Sequence, residues 1–183
     1  MLILGISGSL RKGSHNTRLL LEAAKELPAG VEFRLFDGLR EVPPYNEDDD
    51  RDPVPAAVTR FKEALTTADA ILFSTPEYNF SVPGQLKNGI DWASRPSGNG
   101  VLKFMPVGVV GSSTGAFGAV WAQAELRKVL GACGARVVEG EVALGHAQEY
   151  FEQGKPLSDE HRQQLRELLS GLIAEVQQRQ ATA

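Results

Sequence analysis

The sequence predicts an α/β fold: a doubly wound sheet of five parallel strands in the order 2-1-3-4-5, with helices on both faces. Three observations carry that reading. Short apolar runs alternate with stretches of helical spacing along the whole chain, the pattern of repeated strand–helix–strand crossovers. The runs at 2–6, 70–75 and 106–110 carry no charge, as strands covered on both faces should, whereas 31–36 and 136–144 carry charges and read as edges. With that order, the loops after strands one, three and four meet beyond the carboxyl ends of the sheet, where ligands of open α/β sheets bind.

The first run, Leu2–Ile6, is followed by small and polar residues, and helical spacing begins at Thr17 with Leu19, Leu20, Ala23, Ala24 and Leu27. A strand, a Ser/Gly-rich loop and a helix start together present unpaired N–H groups to an anion. The hydroxyls of Ser7, Ser9, Ser14 and Thr17, the amide of Asn16 and the guanidinium of Arg11 add further donors. Neither Gly-x-x-x-x-Gly-Lys-Ser/Thr nor Gly-x-Gly-x-x-Gly is present. Taken alone, the loop therefore suits a phosphate cradle or a plain strand-to-helix turn, which Gly8 and Gly13 would serve equally well.

Next come an edge strand at 31–36 and a long loop at 38–52, whose acids Glu47 to Asp50 read as a solvated rim. Asp52-Pro53 predicts an N-cap and first-turn proline for a helix burying Ala57, Val58, Phe61, Ala64 and Leu65. The strand at 70–75 leads into loop 76–81, and Pro83 opens a helix through Leu86, Ile90 and Trp92. The strand at 106–110 is followed by Gly111–Gly115 and a helix through Ala122, Leu126, Val129 and Leu130. A last edge strand runs from Arg136 towards Leu144. Ser158, with Asp159 and Glu160, caps a closing helix whose stripe is Leu165, Leu168, Leu169, Leu172, Ile173 and Val176.

At 183 residues the chain is expected to form a single domain, 1–183, with a sizeable core. A net charge of −4 without a basic stripe argues against nucleic acid. Cys133 is the only cysteine, which excludes an intrachain disulfide; with a strand at the very start, no signal peptide is expected and the location expected is cytoplasmic. The uncharged stretch 104–124 is broken by Pro106, its glycines and Ser112-Ser113-Thr114, so no membrane span is expected. His15, His146 and His161 lack metal-ligand spacing and read as surface or supporting residues; no metal is expected. Ser113 with His146 lacks the Gly-x-Ser-x-Gly elbow of a hydrolase. Tyr78 alone reads as a cap on the core, Glu77 as a loop carboxylate and Cys133 as an inert core residue. Trp92 and Trp121 suit either the core or a subunit interface.

Three segments, SGSLRKGSHN, TPEYNFSVPGQLKNGIDW and GSSTGAFGAVWAQAELR, resemble the signature segments of the NAD(P)H-dependent FMN reductase family. This flavodoxin-like group includes quinone, azo-dye and chromate reductases. The resemblance implies that Ser9, Arg11, Ser14 and Asn16 hold the FMN phosphate, with the backbone of Leu10 and His15 close by. It implies that Pro76, Glu77, Tyr78 and Asn79 border the isoalloxazine, with Ser112 and Ser113 on its other edge. The implied activity passes hydride from NADPH or NADH through bound FMN to quinones or similar planar acceptors, azo dyes and chromate among the family's oxidants. The three loops give one flat slot and no second Gly-rich turn for a dinucleotide, so donor and acceptor are expected to use it in turn, in a ping-pong mechanism with no catalytic protein residue. A flavodoxin-like electron carrier or flavin sensor is the alternative, although carriers tend to be more acidic than this chain. The family forms dimers and tetramers, and Phe80, Trp92, Trp121, Tyr150 and Phe151 predict an apolar contact rim at the ligand end. Where the family commonly shows Arg-Ala-Gln, this chain has Trp121-Ala122-Gln123.

Overall fold

Strands without charge become the centre of the sheet, and those with charge its edges. In the computed structural model, which describes residues 1–181, the strands are β1 (Leu2–Ser7), β2 (Glu32–Phe36), β3 (Ala70–Thr75), β4 (Pro106–Ser112), β5 (Arg136–Val137) and β6 (Ala143–Leu144). The helices are α1 (His15–Lys25), α2 (Ala56–Thr66), α3 (Gly84–Ala93), α4 (Val120–Ala132), α5 (Ala147–Phe151) and α6 (Asp159–Ala181). The parallel sheet runs β2-β1-β3-β4-β5, as the sequence predicts. Every residue of β3 and β4 is buried, whereas Glu32 and Arg34 of β2 face solvent.

Period-two alternation divides the strands between two cores. Leu4, Ile6, Ile71, Phe73, Val107 and Val109 pack with α2, α3 and α4 on one face. Ile3, Ala70, Leu72 and Val110 pack with α1 and the leucine stripe of α6 on the other. The start of α6 is held by Ser158, whose Oγ accepts from the N–H of His161 at 3.2 Å. Arg162 and Arg166 of α6 clasp Glu26, just past α1, at 2.6 and 2.7 Å. Their hydrogen bonds and charge, Arg162 foremost, outweigh burial and hold the Glu26 carboxyl below the usual carboxylate range.

Three expectations change. The last strand is interrupted: β5 and β6 both pair with β4, and the chain between them carries exposed Glu139, Gly140 and Glu141, with Gly140 at φ 120°. Helix α2 begins at Ala56, after a second proline, because Val54 precedes Pro55 and such a residue is driven out of helical backbone. Asp52 therefore caps nothing. Trp92 belongs wholly to the core: it is fully buried, its indole N–H donates to the Pro43 carbonyl at 2.9 Å, and it meets Tyr45 edge-on. The acids Glu47, Asp48 and Asp49 are exposed on a short 3-10 turn. Among the described residues, no helix is long and apolar enough to cross a membrane.

Candidate functional site

The site begins where β1 runs out. The N–H of Gly8 still donates to the Ser74 carbonyl at 2.8 Å, which holds the chain against β3 for one more residue. A Cβ at Gly8 would lie 2.8 Å from Leu86 Cδ2 and 3.3 Å from Pro76 Cδ, so only glycine lets the loop pass this close to α3. Ser14 then caps α1, its Oγ accepting from the Thr17 N–H at 3.1 Å. That leaves the N–H groups of His15 and Asn16 as the orphan donors of the helix start. The Arg11 side chain is exposed and has no hydrogen-bond or ion-pair partner among the described residues. Two orphan donors and an unpaired guanidinium at a helix N-terminus favour an anion.

The structure gives Asn16 a task that the sequence reading missed. Its buried carboxamide donates to the Ser112 carbonyl at 3.0 Å and accepts from Ser74 Oγ at 2.8 Å and the Ser112 N–H at 3.0 Å. It staples α1 to the tips of β3 and β4, so what it can offer an anion is its backbone N–H and not its side chain. His15 is likewise not a surface residue. Its ring is buried, stacked on Phe151, with Nε2 2.8 Å from a Glu152 carboxylate oxygen, because α5 folds back across α1.

Loop 76–81 closes in a tight turn, Tyr78 and Ser81 exchanging N–H···O bonds of 3.1 Å. Its two central residues, Asn79 and Phe80, have φ of 55° and 62°. Asparagine adopts left-handed backbone readily; phenylalanine rarely does, and such strain clusters at functional sites. Glu77 faces α4, accepting from the N–H groups of Trp121 and Ala122. Tyr78 is 53% exposed, which overturns its reading as a cap on the core. Phe80 at 71%, Phe117 at 64% and Trp121 at 44% form an exposed aromatic cluster, with Trp121 edge-on to both phenylalanines. Trp121, in the place of the family's usual arginine, is thus the hub of an apolar surface. The sequence reading passed over Phe117, which no hydrophobic period singles out. Tyr150 and Phe151 of the predicted rim are only partly exposed.

The third loop follows β4. Ser112 Oγ is buried without a partner, an orphan polar atom at the strand tip. Ser113 is half-buried and donates its N–H to the Leu144 carbonyl at 3.1 Å. Buried Gln123 holds the loop from behind, bonding the carbonyls of Gly118 and Val142 at 3.0 and 3.2 Å. Between the loops runs a groove. A cavity of about 320 Å³ is lined by Gly8, Leu10, Arg11, Arg40, Tyr78 and Pro83, among others. A second, of about 350 Å³, shares Leu10, Arg11 and Arg40 and continues to Ser9, Lys12 and Phe36. Among the described residues, no group of His, Cys, Asp and Glu side chains could hold a metal. Cys133 is half-buried at the end of α4, and burial first, then the nearby Asp91 charge, pushes its thiol upward, away from reactivity.

An anion loop, an aromatic at the groove and an orphan hydroxyl at the tip of β4, all at the carboxyl edge of a flavodoxin-like sheet, define a mononucleotide-binding α/β protein. The sequence matches the family described as NADPH-dependent FMN reductase over residues 1–149, and the chain belongs to that family of oxidoreductases, which work with FMN and NAD(P)H. It is 43% identical to the NAD(P)H-dependent FMN reductase of Pseudomonas aeruginosa over 172 residues, 93% of this chain and 92% of that protein. It is 42% identical to the 2-hydroxy-1,4-benzoquinone reductase of a Burkholderia species over 124 residues, 68% of this chain and 67% of that one. Among solved structures, the flavoenzyme FerB, an NAD(P)H:(acceptor) oxidoreductase from Paracoccus denitrificans, superimposes with a TM-score of 0.84 at 34% identity, covering 97% of each chain. The residues present fit FMN: the orphan donors and free Arg11 suit its phosphate, and Ser112 Oγ still wants a partner.

Proposed function

We propose that the protein, acting as one domain, is an FMN-dependent NAD(P)H:quinone oxidoreductase whose donor and acceptor use a single slot in turn. The observation that carries this is the groove itself: the unpaired Arg11 and exposed Tyr78 line one cavity whose described lining residues include no carboxylate, histidine or cysteine. FMN, when bound, supplies reversible two-electron chemistry. The chain supplies the rest. Arg11, Ser9, Ser14, the Leu10 backbone and the N–H groups of His15 and Asn16 hold the phosphate. Pro76, Tyr78 and Asn79 border the ring, with Ser112 and Ser113 at its far edge, and Glu77 sets the height of that loop through α4.

The quinone class is supported by the Burkholderia relative, named for reduction of a hydroxybenzoquinone. A slot built from ring stacking and backbone donors suits other flat oxidants, azo dyes included, and small oxidants such as chromate. The cluster of Phe80, Phe117 and Trp121 is a surface for a second copy of the chain, so a homodimer or homotetramer is expected, working in the cytoplasm. The test is an anaerobic spectrum. NADPH alone should bleach the visible absorption of the FMN-loaded protein, and a stoichiometric quinone should restore it. Absorption that survives excess NADPH and NADH would point to a carrier or sensor.

A further inference from the structure

The groove between the loop after β1 and the loop after β2 runs past Ser9, Leu10 and Arg11, which are given to the flavin phosphate, to a part lined by Lys12, Leu35, Phe36, Asp37, Leu39 and Arg40. Two cations outside the flavin cradle, Lys12 and Arg40, line this part. Here the Arg11 and Lys12 side chains have no partner among the described residues, and Arg40 reaches only the Leu10 carbonyl, at 2.6 Å. A single carboxylate, Asp37, shares the groove, and Leu35, Phe36 and Leu39 give it an apolar floor. Excess positive charge at the mouth of an apolar trough of about 350 Å³ suits a flat heterocycle carrying a phosphomonoester. Its position matters as much as its chemistry. β2 lies three strand spacings from β4, about 14 Å, so an elongated ligand with its reactive end by Tyr78 and Ser112 can lay its other end here.

We propose that this half of the groove receives the adenosine 2′-phosphate end of NADPH, with Lys12 and Arg40 on the phosphate and the apolar floor beneath the adenine. The inference rests on the NAD(P)H oxidoreductase reading above. In the dinucleotide-binding class of doubly wound sheets, the end of the second strand sorts the two dinucleotides, a carboxylate suiting a ribose hydroxyl and an arginine the extra phosphate. The same chemistry stands at that place in this flavodoxin-like sheet. This chain has both, Asp37 and Arg40, and Lys12 beside them tips the balance to the phosphate.

The test compares wild type with Arg40→Gln, Lys12→Gln and Arg40→Lys. The readouts are the ratio of kcat/KM for NADPH to that for NADH, and calorimetric titration with adenosine 2′,5′-bisphosphate and with adenosine 5′-monophosphate. The ratio should fall about tenfold or more in Arg40→Gln, as expected for a lost charge-assisted hydrogen bond, and less in Lys12→Gln. Arg40→Lys should restore most of it. Wild type should bind the bisphosphate more tightly than the monophosphate, and Arg40→Gln should erase the difference. An unchanged ratio, no discrimination between the two probes, or a loss in Arg40→Gln that falls on FMN affinity instead would overturn the proposal while leaving the oxidoreductase reading intact. A wild-type protein that binds FMN but oxidises neither dinucleotide would overturn both.

Discussion

The Glu77 carboxylate accepts a hydrogen bond from the backbone N–H of Trp121 at 3.1 Å, and the same oxygen accepts from the next N–H, that of Ala122, at 3.0 Å. Helix α4 has no cap of its own, because the residue before it, Ala119, sits in left-handed backbone and offers no side-chain acceptor. Glu77 therefore caps a helix to which it does not belong. Ser81, donating to Glu125 Oε2 at 2.5 Å, makes a second tie between the same two elements. Together they fix Tyr78, at the groove, relative to Trp121, at the centre of the aromatic surface.

Removing this cap should be felt in stability before it is felt in chemistry. Glu77→Ala loses an N-cap acceptor and a favourable charge at a helix N-terminus, about 1–2 kcal/mol together. In a chain of this size that lowers Tm by several degrees. Glu77→Gln keeps an accepting oxygen without the charge and should fall between the two. Thermal unfolding followed by circular dichroism checks this; three superimposable melts would mean that the cap contributes nothing.

How much of this could be read from sequence depended on whether a residue's fate is decided locally. Absence of charge was enough to place β3 and β4 at the centre, and a Ser/Gly loop before helical spacing was enough to mark the anion loop. Asn16 was legible as part of that loop but not as its staple, since its partners, Ser74 and Ser112, lie 58 and 96 positions away. His15 is buried by Glu152 and Phe151, from more than 130 positions downstream, so nothing local signals it. Trp92 and Trp121 look alike in sequence, yet Pro43 and Tyr45 fold over the first while the second is left on the surface. The late start of α2 was legible in principle, since Val54-Pro55 forbids an earlier one.

Arg11 carries a sharper prediction. Its charge is free and sits beside the orphan donors of α1, so Arg11→Ala should weaken FMN binding by roughly ten- to a hundredfold, the worth of one charge-assisted hydrogen bond. Its exposed position means that the fold should survive. Fluorescence titration of apo-protein with FMN measures the effect, and an unchanged dissociation constant removes Arg11 from the site.

Phe80 couples strain to surface. At φ 62° its backbone costs about 1 kcal/mol or more relative to glycine, yet its ring lies exposed against Trp121. Phe80→Gly relaxes the turn and removes part of the proposed contact between copies. Self-association measured by sedimentation should weaken, while far-UV circular dichroism stays native. Unaltered association would place the subunit contact elsewhere.

The clasp on Glu26 should show in acid. Its folded carboxyl is held below the ordinary value by Arg162 first and Arg166 also, so its stabilisation is fully present above the unfolded value of about 4.3. It is lost as pH falls through the lower, folded value. Glu26→Gln should therefore cost about 1 kcal/mol at neutral pH and progressively less below pH 4. Urea unfolding of both proteins at pH 7 and pH 3 reads the difference; a cost that grew on acidification would reverse the assignment.

The kinetic order follows from the shape of the groove. Tyr78 stands at one slot only, and the half of the groove beyond Arg11 adjoins the slot without offering a second place for a reacting ring. On the single-slot proposal, the quinone has to wait until the oxidised nicotinamide has left. Double-reciprocal plots with quinone varied at several fixed NADPH concentrations should give parallel lines. High quinone should inhibit competitively with NADPH, because it occupies the same place before the donor arrives. A flat slot without side-chain donors aimed at one substituent pattern should also turn over more than one quinone. Lines that converge to the left of the axis would show donor and acceptor bound together, and a second acceptor surface would then have to be sought along the exposed loop around Asp48.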